Sequence, residues 1–109
     1  MTTPVQVTFL GMPVSDAVES ACWEEVDKLG REFEGIMSCH VVIGRPCDRS
    51  RRSRGFEIRI DVGLPSGELV VTHNPRRRDV AEDILVAVQN AFTAARQQLQ
   101  RSIRDRQRS

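Results

Sequence analysis

The sequence has no tyrosine, a single tryptophan, a single lysine and only three cysteines in 109 residues. Aromatic residues make up 5% of the chain, too few for a surface that binds single-stranded nucleic acid by stacking bases on rings. Cys22, Cys39 and Cys47 are an odd number without CxxC spacing, which excludes a disulfide scaffold and fits free thiols in a reducing compartment. No apolar run reaches membrane-spanning length, and the first residues, MTTPVQVTF, lack a basic stretch followed by a hydrophobic one. The expected location is therefore the cytoplasm. Gly and Pro are ordinary at 7 and 5 residues, and a chain of this length accommodates one domain with its own core but not two.

The formal net charge of +1 conceals an asymmetry. In residues 1–43, Lys28 and Arg31 face seven acids; in residues 44–109, fourteen arginines face eight acids. The second half is basic, and its cation is always arginine, whose planar fork suits phosphate. A GC-rich genome also favours arginine over lysine, but that accounts for the residue type and not for the clustering.

Hydrophobic spacing gives the elements. Val5, Val7 and Phe9 alternate as a first strand, ended by Gly11, Met12 and Pro13. Ser15 is placed to cap a helix with apolar positions Val18, Cys22, Val26, Leu29 and Phe33, and with Asp16 and Glu19 near its positive end. Its other face is acidic, with Glu24, Glu25, Asp27 and Glu32. Gly35 stops it, and Met37, Cys39, Val41 and Ile43 alternate as a second strand. The aperiodic, arginine-rich segment from Gly44 to Gly55 reads as a loop.

Phe56, Ile58, Ile60 and Val62 oppose Glu57, Arg59 and Asp61 in a third strand, and Pro65, Ser66 and Gly67 turn the chain into a fourth, Glu68 to Thr72, as an antiparallel hairpin. Arg76, Arg77 and Arg78 precede a last helix, where Asp79 and Glu82 have capping-box spacing and Ile84, Val88, Ala91, Phe92, Ala95, Leu99 and Ile103 form the apolar stripe. The expectation is an α+β domain over residues 1–103, in two layers and the order β-α-β-β-β-α. Its mixed four-stranded sheet carries both helices on one face, and its first two strands run parallel. Residues 104–109 form a basic tail expected to fray.

Phosphate recognition needs several cations on one surface, because the gain from counterion release is collective. The candidates are Arg49, Arg51, Arg52 and Arg54 in the loop, Arg76, Arg77 and Arg78 before the last helix, and Arg96, Arg101 and Arg104 on it. Arg59 has two readings, a cross-strand salt bridge or an RNA contact. Cys39, His40, Cys47 and His73 lack zinc-site spacing, so no metal or other cofactor is expected. His73 with Asp61 or Asp79 lacks a nucleophile motif or phosphate loop beside it, so the chain does not read as an enzyme. Trp23 reads as a partly buried packing residue.

Taken in order, VTFLGMPVSDAV, KLGREFEGI from Lys28 to Ile36, CHVVIG, GELVV and AVQNAFTAARQQL from Ala87 to Leu99 resemble the ribosome hibernation-promoting factor family, also described as ribosome-associated inhibitors or sigma-factor modulation proteins. The resemblance implies a domain similar in shape to double-stranded RNA-binding domains, sitting on the small ribosomal subunit near the decoding centre and blocking tRNA and mRNA under stress. It directs the arginine candidates toward rRNA. Relatives often read DMYAAID where this chain has Asp83 to Gln89, and Ala94, Gln97 and Ile103 stand where they usually carry Lys or Arg, whereas Arg101 keeps its charge. The sequence also stops without the C-terminal extension through which longer relatives pair ribosomes, which implies binding without pairing. The alternative reading is a regulatory protein-interaction module of the same fold that has lost ribosome binding and uses the acidic helix or the exposed sheet face.

Overall fold

A computed structural model describes residues 4–44, 57–73 and 84–108. The elements are β1 (Val5–Leu10), α1 (Asp16–Glu32), β2 (Ser38–Gly44), β3 (Glu57–Leu64), β4 (Gly67–His73) and α2 (Ile84–Arg108). The sheet order is β1-β2-β3-β4, with β1 parallel to β2 and the other pairs antiparallel, as the sequence pattern predicts.

Register puts alternate residues in line. Val7, Val41, Ile60 and Val71 form one row across the sheet, flanked by rows containing Cys39 with Val62 and Ile43 with Ile58. These residues of β2, β3 and β4 are buried against Val18, Cys22, Val26 and Leu29 of α1 and Val88, Ala91, Phe92, Ala95 and Leu99 of α2. Both helices thus cover one face, α1 over β1 and α2 over β3 and β4. Each large aliphatic or aromatic side chain so buried contributes about 1.5–3 kcal/mol. The other face displays Thr8, His40, Val42, Arg59, Asp61 and Thr72.

Local chemistry sets the boundaries. The Ser15 hydroxyl accepts from the Val18 N–H at 3.3 Å, so the predicted cap forms, and Phe33 in extended geometry closes α1 by donating its N–H to the Leu29 carbonyl. Gly35, at φ 97°, then turns the chain toward β2. Gly44 is needed for a different reason: a Cβ there would lie 2.8 Å from the Leu10 carbonyl oxygen.

Three expectations change. Met37 is 59% exposed and precedes β2; its N–H donates to the Gly63 carbonyl at 2.7 Å, outside the β2 alternation. The buried stripe of α2 ends at Leu99, and Ile103 is exposed because the helix has overrun the sheet beneath it. The helix itself continues to Arg108, through most of the segment expected to fray. Phe56 and the Asp79–Glu82 capping box lie outside the described residues. Among the described residues, no helix is long and apolar enough to cross a membrane.

Candidate nucleic-acid interface

The ten candidate arginines fall into two groups. Arg49, Arg51, Arg52, Arg54, Arg76, Arg77 and Arg78 lie outside the described residues, but the strand ends from which their segments depart are placed. Gly44 pairs with Glu57 and Ile58 pairs with His73, so both arginine-bearing connections leave from neighbouring strands at one end of the sheet. Arg101 and Arg104 are exposed on α2 at the other end, beyond the point where Arg96 meets the C-terminal residue of α1. At 1.5 Å per residue, about 25 Å of helix separates Ile84 from Arg101.

Along α2, from Ile84 toward Arg101, runs a stripe that the arginine pattern of the sequence does not reveal. Gln89, Asn90, Thr93, Gln97 and Gln100 recur on the outer side of α2, all exposed, and no acid occurs from Ile84 to Arg104. The signal was present as an absence of Asp and Glu over twenty-one residues (84–104), easily missed beside the arginine clusters. Thr93 turns its hydroxyl back to donate to the Gln89 carbonyl at 3.0 Å, while Gln97 and Gln100 are exposed further along the same side.

Arg96 has another task. Its Nε donates to Glu32 Oε2 at 3.0 Å, and the side chain is 27% exposed, so its charge ties α2 to the end of α1. Of its two readings Arg59 takes the ion pair, though along its own strand and not across strands: Nε lies 3.0 Å from Asp61 Oδ1, two residues on. The Asp61 hydrogen bond and its charge raise the guanidinium pKa further.

The remaining surfaces are unfavourable to a polyanion. The outer side of α1 carries Asp16, Glu24, Glu25 and Asp27, partly offset by the Lys28–Glu25 pair at 3.5 Å and the Arg31–Asp27 pair at 3.0 Å. Among the described residues, the open sheet face carries Glu57, Asp61 and Glu68 against Arg59 alone.

The candidate metal ligands are dispersed. Cys39 is buried in the core, whereas the adjacent His40 lies on the opposite face with Nε2 2.9 Å from Thr8 Oγ1. Among the described residues no group of three or more His, Cys, Asp or Glu is arranged to hold a metal; Cys47 lies outside them. Burial pushes the Cys22 thiol up to about 12, helped by Cys39, Glu19 and Glu25, and the Cys39 thiol up to about 11, helped by Asp61. Both stay protonated and behave as small core hydrophobes. Trp23, read as a packing residue, is 56% exposed.

The family model described as Sigma 54 modulation protein / S30EA ribosomal protein matches residues 5–107. The chain belongs to this family. As a member of the Sigma 54 modulation protein / S30EA ribosomal protein family, it is a ribosome-associated hibernation or modulation factor. Its fold is similar to that of the Protein Y N-terminal domain from Thermus thermophilus, with TM-score 0.67, 19% identity and coverage of 93% of this chain and 98% of that one. It is also similar to a ribosomal subunit interface protein from Coxiella burnetii, with TM-score 0.70, 16% identity and coverage of 92% and 97%. A search of curated protein sequences finds no match. These likenesses support the α+β reading of the family member's fold independently of its arginines.

Proposed function

We propose that this chain is a cytoplasmic translation inhibitor that binds small-subunit rRNA near the decoding centre under stress, by shape and charge and without catalysis. The observation that carries the reading is the outer side of α2, acid-free from Ile84 to Arg104 while α1 and the open sheet face are net acidic. Arg101 and Arg104 stand at one end of this stripe; at the other end of the sheet lie the strand ends Gly44, Glu57 and His73, next to which the sequence carries Arg49, Arg51, Arg52, Arg54, Arg76, Arg77 and Arg78. In such an interface the arginines hold phosphates and the amides of Gln97 and Gln100 meet 2′-hydroxyls and base edges, which need neutral groups that both donate and accept. Arg96, spent on Glu32, supports the interface by fixing α2 against α1.

Co-sedimentation with separated subunits tests this. The protein should travel with small subunits and be released by salt. With about six phosphates contacted, log affinity should fall against log salt with a slope of about −4 to −5. Binding that is indifferent to salt would overturn the reading and leave the protein-interaction module as the better account.

A further inference from the structure

Strand β1 is an edge of the sheet and its least covered strand. Val5, Val7 and Phe9 are only half-buried, although their register partners Cys39, Val41 and Ile43 on β2 are at most 2% exposed. The Cys39 N–H donates to the Pro4 carbonyl at 3.0 Å, and this sets the phase of the parallel ladder. Backbone groups of Gln6 and Thr8 turn toward β2, and those of Val5, Val7 and Phe9 turn outward. Edge strands are normally guarded by charge, proline or a bulge, yet VQVTFL holds neither proline nor a charged residue. The opposite edge differs, because α2 packs over β4 and buries Val71.

Helix α1 overhangs the open edge. Trp23 and Glu32 are nine positions apart in sequence, half a turn out of phase at about 100° per residue. Glu32 faces α2 through Arg96, so Trp23 lies on the flank turned away from α2, on the side of β1. Glu19 and Asp27 stand one helical turn to either side of it, Asp27 in an exposed pair with Arg31 at 3.0 Å that an incoming cation has to share or displace. An exposed indole, half-buried strand residues, backbone groups without a partner among the described residues and two carboxylates therefore lie along one edge of the molecule.

We propose that the β1 edge and the Trp23 flank of α1 bind an extended segment of a protein partner, which adds a fifth strand. The segment carries apolar residues flanked by arginine or lysine on the side that faces α1. Backbone hydrogen bonds to Val5, Val7 and Phe9 give affinity, apolar side chains fill the space between the strand and Trp23, and the cations meet Glu19 and Asp27. This edge is distinct from the outer side of α2, so RNA and peptide do not compete for it.

Trp23 is the sole tryptophan and reports on its own site. The purified protein is titrated with the peptide acetyl-Arg-Thr-Val-Thr-Val-Thr-Arg-amide and, as control, with the same peptide carrying Glu for Arg. The basic peptide should shift Trp23 emission to the blue and slow amide exchange at Val5, Val7 and Phe9. The acidic peptide, and the Glu19→Lys/Asp27→Lys variant with the basic peptide, should bind about tenfold more weakly at low salt. Val7→Pro removes an outward N–H that the β2 ladder does not use and should abolish binding while circular dichroism is unchanged. Should that variant unfold, Trp23→Ala followed by amide exchange alone should still show about tenfold weaker binding. No protection at Val5, Val7 and Phe9, protection at β4 instead, or equal binding of the acidic peptide would overturn the proposal. The titration contains no ribosome, so its outcome is independent of the rRNA reading.

Discussion

Replacing Arg101 and Arg104 together by Glu isolates the charge of the α2 interface from the stability of the fold. Both side chains are exposed, lie beyond Leu99, the last buried residue of the helix, and make no ion pair among the described residues. Their substitution should change stability by no more than about 0.5 kcal/mol, or about 3 °C in melting temperature. On RNA the effect is much larger. Near 0.1 M salt each phosphate contact contributes about a factor of ten through counterion release, so losing two weakens binding by about one hundredfold, and two new carboxylates add repulsion. The slope of log affinity against log salt should become shallower by about 1.4–1.8. Sedimentation with small subunits at four or five salt concentrations measures both quantities, and a thermal melt by circular dichroism supplies the control. Unchanged affinity and slope, with an unchanged melt, would show that this end of α2 does not touch RNA.

Reversal of Arg51, Arg52, Arg76 and Arg77 to Glu should likewise abolish subunit binding with little change in the melt, and retained binding would remove those connections from the interface. Arg96→Ala should cost about 1 kcal/mol or less in a denaturant titration, and the loss should vanish in the Glu32→Gln background if the ion pair is its cause. Leu99→Ala, on the buried stripe, should destabilise by about 2–5 kcal/mol and weaken binding only through unfolding, which a denaturation curve at fixed temperature checks. Cys22 and Cys39 should resist a thiol reagent until the chain unfolds. Because their folded pKa values are raised to about 12 and about 11, the unfolded state loses those protons first, so the two thiols lower stability as pH climbs from about 9 toward 11. A Cys22→Ala/Cys39→Ala variant should lack that part of the alkaline decline.

The periodicity of the sequence was enough for the element order, the Ser15 cap, the four buried positions of α1 with its buried cap Phe33, and the alternation in β2 and β3, because burial on one face forces side-chain spacing to match the period of each element. It failed at element ends. Met37 keeps the alternation of β2 but precedes the strand, and Ile103 keeps the stripe of α2 but has no sheet below it; spacing records which face a residue occupies and not where the neighbouring layer stops. Charge behaves in the same way. Composition reveals that arginines cluster, but only the fold shows that Arg96 is neutralised by Glu32, that Arg59 bonds along its own strand, and that both arginine-bearing connections leave one end of the sheet while Arg101 and Arg104 occupy the other. The exposure of Trp23 is likewise tertiary: on a helical wheel it borders the buried stripe, and it reaches solvent because α1 sits over an edge strand with no further strand beside it among the described residues. Local periodicity acts through the backbone geometry of each residue and its near neighbours, whereas ion pairs, edges and overhangs depend on which distant segments the packed core brings together.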